Sequence, residues 1–191
     1  GWLAEQLCVT SREDLQAVTL GGRSGPLDGE DLNSLVVSNI DWLLKRRAWD
    51  FGSDVADNPA LAHVLAVQED FNESLESLKE GMAGSEKPES DFPNTKLGRG
   101  LDSVARLMSV GVRPAVFKLN LGGFDTHTNQ RGKHKMLLTQ LGEALATFRE
   151  ASVAAGTWAN TAVVTYSEFG RRVAENGNKG TDHGTAATHF V

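Results

Sequence analysis

The stretch that most restricts the fold runs through residues 114–166, where two short runs of strand-forming residues flank a long amphipathic segment. The first run, residues 114–121 (PAVFKLNL), ends at paired glycines. The second, residues 161–166 (TAVVTY), is nearly continuously apolar, as in strands buried on both faces. Between them, residues 134–155 place leucines at helical spacing, and Gly156 follows where the helix should end. The order strand, helix, strand predicts a βαβ unit with parallel pairing and therefore an α/β fold.

The first part of the chain, residues 1–80, is expected to be mainly helical, because apolar residues recur three and four positions apart in two stretches. These residues are Leu32, Leu35, Val36, Ile40 and Leu43, then Leu61, Val64, Leu65, Phe71, Leu75 and Leu78. Pro59, preceded by Asp57 and Asn58, suits the start of the second helix, since either Asp or Asn can cap it and the first turn needs no N–H from proline.

Residues 81–94 (GMAGSEKPESDFPN) lose this periodicity and gather Gly, Pro, Ser and charges, so we expect a surface loop. Another helix is predicted from the apolar stripe of residues 97–108, with Gly111 as its terminator. We therefore expect a single domain over residues 1–191, in which residues 95–191 contain the βαβ unit and its loops.

Composition excludes several classes of partner and cofactor. The net charge of -6 provides no basic surface for nucleic acid, and a single cysteine allows neither an internal disulfide nor a thiolate metal cluster. No apolar run approaches the roughly 18–20 residues that a membrane-spanning helix requires. The chain begins at Gly1 without a methionine and ends at Val191 within an unfinished segment, so we expect it to be part of a longer protein.

Polar residues are concentrated directly after the two predicted strands of the βαβ unit. Because parallel strands end at one edge of a sheet, the loops at residues 122–130 (GGFDTHTNQ) and 167–172 (SEFGRR) should be neighbours. Asp125 and His127 are one residue apart, so in an extended segment both side chains point the same way. Glu168 adds a carboxylate from the second loop.

A third group lies in the glycine-bounded loop GTDHG, which supplies Asp182 and His183. Together these oxygen and nitrogen donors predict a site for Zn²⁺, or for Mn or Fe, rather than a structural thiolate zinc site. Arg171 and Arg172 could hold a phosphate or sulfate group, because the forked guanidinium matches its oxygens.

Each candidate also has a structural interpretation. Asp125 and His127 could cap the following helix, and Asp182 with His183 could form an ordinary turn. Glu168 could pair with Arg171 at the surface, which would also explain the arginine. It is the expected convergence of all these residues that favours a metal site.

The motifs FPNTKLGRGLDSVARLM, GGFDTHTNQ, VVTYSEFGRRVAENG and GTDHG, in this order, resemble the bacterial domain-of-unknown-function family 1501. The resemblance covers about the whole chain. It implies the alkaline phosphatase-like superfamily, to which sulfatases also belong, and hence part of a three-layer sandwich with a mainly parallel sheet and flanking helices.

The superfamily pattern also implies roles for single positions. Asp125, His127 and His183 resemble ligands of a first metal, although the superfamily usually has three residues between the first two. Glu168 and Phe169 occupy the position of an Asp-His pair for a second metal, which Phe169 cannot bind. The nucleophile and the Asp of the first strand would lie upstream, so no catalytic nucleophile is expected in this chain.

Two functions follow as hypotheses. The first is a metal-dependent hydrolase acting on a small anionic substrate, a phosphate or sulfate ester, with Asp182 as ligand or outer partner and Arg171 at the substrate. The second is an exported protein of the same fold that binds a metal or ligand without turnover. The family resemblance implies export to the periplasm or beyond; the oligomeric state is not predicted.

Overall fold

The computed structural model describes residues 2–10, 15–29, 32–38, 40, 45, 58–82 and 90–191. These residues form a mixed α/β fold with a three-stranded parallel sheet. The helices are α1 (Trp2–Thr10), α2 (Pro59–Met82), α3 (Lys96–Ser109) and α4 (Gln130–Ala154), and the strands are β1 (Ala17–Leu20), β2 (Ser34–Val37), β3 (Val116–Leu119), β4 (Gly170–Arg171) and β5 (His183–Gly184). Short 3₁₀ turns lie at Gly25–Leu27 and Trp158–Asn160.

The chain divides into two compact units. The first comprises Gly1–Pro88 and Ser103–Asn120, and the second comprises Glu89–Asp102 and Leu121–Val191. The expectation of a single domain stays a prediction. None of the helices in the described part of the chain is both long and apolar enough to cross a membrane.

The parallel sheet lies in the first unit, in the order β2-β1-β3. Ala17 pairs with Ser34 on one side and with Val116 on the other, and the register continues to Leu20. All residues of β1 are buried, as expected for a central strand covered on both faces. Ala4 and Leu7 of α1 pack with Ala17 in the core beside this strand.

The helix predicted from Leu32 to Leu43 is wrong over its first part, because Ser34–Val37 is strand β2, whereas Ile40 is helical as predicted. Leu35 and Val37 are buried whereas Val36 is 49% exposed, which is the alternation of a strand. A run of so few apolar residues fits either periodicity, and pairing with β1 decides in favour of the strand. Leu43 lies outside the described residues. Strand β1 itself was not predicted.

The predicted start of the second helix is confirmed. The side-chain Oδ1 of Asn58 accepts hydrogen bonds from the backbone N–H groups of Ala60 and Leu61, at 3.1 and 3.3 Å, and Pro59 is the first helical residue. The expected apolar stripe is buried at Leu75. Nearer the start of the helix, Leu61 and Val64 of this stripe are exposed. The side chains of Phe71 and Leu78 lie outside the described part of the chain, as do residues 83–89 of the predicted loop.

Three elements of the second half are confirmed. Helix α3 contains the predicted stripe and is followed by Gly111 with φ 89°, and β3 lies inside the predicted strand. Helix α4 begins at Gln130, four residues before the predicted start, and Gly156 follows it with φ 68°. Leu137, Ala144, Phe148 and Ala151 form the buried face of α4.

The second strand of the predicted βαβ unit is wrong. Residues 161–166 have no ladder of strand hydrogen bonds, and their side chains are not deeply buried, with Val164 63% exposed. Thr165 alone pairs with Phe190: its N–H donates to the Phe190 carbonyl at 2.9 Å, and its hydroxyl accepts from the Phe190 N–H at 2.7 Å. An apolar run becomes a strand only where a neighbouring strand satisfies its backbone, and among the described residues none does so along this run.

Candidate metal centre

The predicted site residues lie in the second unit, on the loop before α4 and on the segment around the hairpin of β4 and β5. In this hairpin Arg171 pairs with His183, and Gly170 pairs with Gly184, in antiparallel register. The backbones are so close that a Cβ on Gly184 would lie 2.6 Å from the backbone N of Arg172. Gly180 is equally constrained, since a Cβ there would lie 2.2 Å from the backbone of His127. Glycine at these positions therefore lets the three loops come together.

One carboxylate oxygen, Oδ1 of Asp125, is the centre of the cluster. It lies 2.7 Å from Nη2 of Arg171, 2.9 Å from Nε2 of His183 and 3.0 Å from Nε2 of His127. The hydrogen bond to His183 is the main cause that lowers the pKa of Asp125 below its ordinary value of 3.8, and Arg171 acts in the same direction. Asp125 is therefore held as a carboxylate, the form that binds a cation.

The donor atoms of Asp125, His127 and His183 all lie within 4.8 Å of one another. Nitrogen and oxygen ligands at about 2.0–2.2 Å from a tetrahedral Zn²⁺ are roughly 3.3–3.6 Å apart. The two short spacings of 2.9 and 3.0 Å and the upper limit of 4.8 Å bracket that value. All three side chains are about half exposed, so water or a small anion can reach the open side of the group. The donor set and its spacing fit a divalent cation.

His183 is held between two rings. It stacks on His127 with centroids 5.1 Å apart and on Phe169 with centroids 4.6 Å apart. The guanidinium of Arg171 also lies over the Phe169 ring, at 4.9 Å. Phe169, which cannot ligate a metal, therefore supports the orientation of His183.

Asp182 contacts the cluster through His127. Its Oδ1 lies 3.3 Å from Nδ1 of His127 and accepts a hydrogen bond from the side-chain amide of Asn176 at 3.1 Å. These two contacts, the one with Asn176 foremost, lower the pKa of Asp182. Asp182 thus faces the opposite side of the His127 ring from Asp125.

Arg171 is held by acceptors of the protein itself. Nη1 donates to the Thr181 carbonyl at 2.6 Å, and Nη2 donates to the Phe124 carbonyl at 2.8 Å and to Asp125. Only 15% of its side chain is exposed. The arginine joins the loops of the cluster, and its predicted role in binding a substrate stays a prediction.

Glu168 is the one predicted ligand that does not join the others. Its side chain is exposed, and within the described part of the chain it has no hydrogen-bond or ion-pair partner. The alternative partner, Arg171, binds Asp125 instead. The expectation that Glu168 lies beside the other ligands depended on a strand at residues 161–166, and the structure does not form this strand.

Two nearby hydroxyls, together with His134 and His189, have structural contacts. Ser167 donates to the Phe169 carbonyl at 2.6 Å, and Thr126 donates to the Phe124 carbonyl at 3.2 Å. His134 packs edge-on against Phe124, and Nδ1 of His189 lies 3.0 Å from the Thr165 carbonyl. These contacts give both hydroxyls and both rings structural partners.

Sequence reasoning missed Asn176. Its side-chain amide donates to the His127 carbonyl at 3.0 Å and to Asp182, while its Oδ1 accepts from the backbone N–H groups of Asn178 and Gly180. The only signal in the sequence is the run ENGNKG, which is typical of a turn and gives no indication of which amide faces the cluster.

Comparison with known proteins identifies a family but no characterised relative. A family model with the description "Protein of unknown function (DUF1501)" matches residues 38–191. No curated protein and no solved structure matches the chain.

Proposed function

The chain belongs to the DUF1501 family, and we propose that its Asp125, His127 and His183 bind a divalent cation for the hydrolysis of phosphate or sulfate esters. The observation on which this proposal depends is the contact of one exposed carboxylate oxygen with a nitrogen of each histidine. Zn²⁺ suits this set best, because it accepts imidazole and carboxylate ligands and tolerates three protein ligands with an open position.

An alkaline phosphatase-like sandwich is part of the proposal and is supported by the motifs of this chain and by its parallel sheet. When bound, the cation would polarise an ester oxygen and lower the pKa of a water or hydroxyl nucleophile. Asp125 supplies the negative charge that attracts the cation, and Arg171 keeps that carboxylate in place. Because Ser167 and Thr126 donate to backbone carbonyls, neither is the nucleophile in this proposal.

The test is metal content together with activity on aryl phosphates and aryl sulfates. We expect about one equivalent of Zn²⁺ per chain, as three first-sphere ligands allow. The double variant Asp125→Ala with His183→Ala should lose both metal and activity. Glu175→Gln, which removes one negative charge from an exposed position of the adjacent loop, is the matched control. Full activity in the double variant would refute the proposal.

A second function, binding of a metal or ligand without turnover, is favoured by one observation. Both terminal nitrogens of Arg171, the arginine in contact with Asp125, already donate to two backbone carbonyls and to Asp125, so these N–H groups are not available to an anionic substrate. In that case Zn²⁺ raises the melting temperature as ligand binding to the native state requires, while neither class of ester is cleaved. Export, which the family resemblance implies, belongs to both versions and is checked by fractionating the native host.

A further inference from the structure

We propose that Asp182 and Asn176 are positioning residues, which hold the His127 ring so that its Nε2, and not its Nδ1, faces the cation. This inference rests on the proposed metal site. It assigns Asp182 to the outer side of the site rather than to the ligand set, and it adds Asn176, which the sequence did not indicate.

The orientation of the His127 imidazole determines which of its two nitrogens can bind the cation. Nε2 of His127 lies 3.0 Å from Asp125, inside the group of donor atoms, whereas Nδ1 lies 3.3 Å from Asp182 on the other side of the ring. A neutral imidazole has one N–H and one lone pair, and only the lone pair can bind a metal. Asp182 favours the proton at Nδ1, whereas Asp125 favours it at Nε2 as long as no cation is bound. Once a cation occupies Asp125, Nδ1 alone keeps a carboxylate acceptor for the proton, and the Nε2 lone pair is free for the cation. A histidine ligand whose other nitrogen donates to a carboxylate is held in this way.

The neighbours of the Asn176 side chain determine the orientation of its amide. Two acceptors face one end of it, the His127 carbonyl at 3.0 Å and the Asp182 carboxylate at 3.1 Å, so this end must be the NH₂ group. Two backbone donors face the other end, from Asn178 at 2.9 Å and Gly180 at 3.1 Å, so this end must be the oxygen. An amide flipped about its axis would put like groups together at both ends, and the observed orientation is therefore the stable one.

Asn176 consequently contacts His127 twice, directly at the backbone carbonyl and indirectly through Asp182 at the ring. Residues of this outer kind typically change metal affinity by about 10–100-fold when they are removed. A direct ligand would have a larger effect, because one of only three protein donors would be lost.

The experiment compares Zn²⁺ affinity, by competition with a chromophoric chelator, in the full chain and five variants, of which Asp125→Ala is the reference for loss of a direct ligand. We expect Asp182→Ala to weaken binding about 10–100-fold. Asp182→Asn keeps an acceptor for both neighbours and should recover most of the affinity. Asn176→Asp keeps the acceptor end but places a second carboxylate against Asp182, so it should weaken Zn²⁺ binding as well. Asn178→Ala, whose contact to Asn176 uses only the backbone, is the control and should bind like the parent chain.

Two affinity results would overturn the inference. If Asp182→Ala binds Zn²⁺ as tightly as the parent chain, Asp182 does not position His127. If it abolishes binding as completely as Asp125→Ala does, Asp182 is itself a ligand.

A second measurement separates this inference from the proposed function. In the metal-free chain, ¹⁵N NMR of the histidine rings reports which nitrogen of His127 carries the proton. We expect His127 to be protonated at Nδ1 in Asp125→Ala, which removes the competing carboxylate beside Nε2, and to lose that preference when Asp182→Ala is added. An unchanged tautomer in this double variant contradicts the positioning role. If the parent chain binds no Zn²⁺, the proposed function fails, while the tautomer still decides the role of Asp182.

Discussion

The parallel sheet of the first unit and the loops of the candidate metal centre satisfy their backbones in different ways. In the sheet, β1 pairs with a strand on each side, and its residues are all buried. In the loops, side chains supply many of the partners: Arg171 binds the carbonyls of Phe124 and Thr181, and Asn176 binds that of His127. The sheet thus depends on burial, and the loops depend on a few directed polar contacts.

This difference determines where a single substitution acts. Burial is not directional and involves many weak contacts, so loss of a core side chain lowers the stability of the whole cooperative unit. A directed hydrogen bond contributes less to global stability, but it fixes one atom in one place. Substitutions in the sheet should therefore change the free energy of unfolding most, and substitutions in the loops should change local order and metal binding most.

The largest effect is expected for Leu35→Ala on β2, where the side chain is 4% exposed. The free energy of unfolding, measured by urea denaturation, should fall by about 2–5 kcal/mol. Val36→Ala is the matched control, because its side chain is 49% exposed on the opposite face and should cost about 1 kcal/mol or less. Equal losses for the two neighbours would contradict the burial of one face of β2.

An intermediate effect is expected for Arg171→Lys in the loops. Lysine keeps the positive charge but cannot donate to the Phe124 and Thr181 carbonyls in the same forked geometry. We expect a loss of about 1–3 kcal/mol, as for a charge-assisted hydrogen bond. Hydrogen exchange should be faster at the Arg172 and Thr181 amides, whose partners lie in these loops. Unchanged exchange at both amides would show that the arginine does not hold the loops.

The predictability of the fold follows the length of its elements. Helices α3 and α4 span several turns and end at glycines, so their period and their stop signals are unambiguous. Strands β1, β2 and β3 contain four residues each, too few to separate a strand from a helix by period. Only β3 lies in a run bounded by Pro114 and paired glycines, whereas the position of β1 and β2 depends on pairing between distant segments. For the same reason, the apolar pattern of residues 161–166 indicates a strand that the structure does not form.

The candidate site shows which part of an argument about chemistry can come from sequence. The residue types at Asp125, His127 and His183 indicated a cation, and the structure brings these three together. The sequence predicted that two strands ending at one sheet edge bring these residues together. In the structure the β4–β5 hairpin and Arg171 join them instead. Glu168 was expected in the site only because of those two strands, and its side chain lies apart from the other three. The contacts of Asn176 were not predictable, because an asparagine that only forms a turn cannot be distinguished in the sequence from one that also contacts a neighbouring side chain.

The smallest expected effect is the acid dependence of stability that comes from Asp125 and Asp182. Hydrogen bonds from His183 and Arg171, and from Asn176 and His127, lower the pKa values of these carboxyls in the folded chain. A lowered pKa means that the unfolded chain binds protons first as the pH falls. The contribution is therefore fully present above the ordinary value of 3.8 and is lost as the pH falls through the folded values.

The measurement is the melting temperature of the metal-free chain from about pH 6 to pH 3, within the range where carboxyls titrate. The double variant Asp125→Asn with Asp182→Asn should lose less stability over this range than the parent chain, and the two should run parallel above about pH 5. Because both carboxylates are exposed, added salt should reduce the difference. If the melting temperatures of the two chains differed only above pH 5, lowered pKa values would not be the cause. Such a result would show that these contacts do not favour the ionised carboxylates.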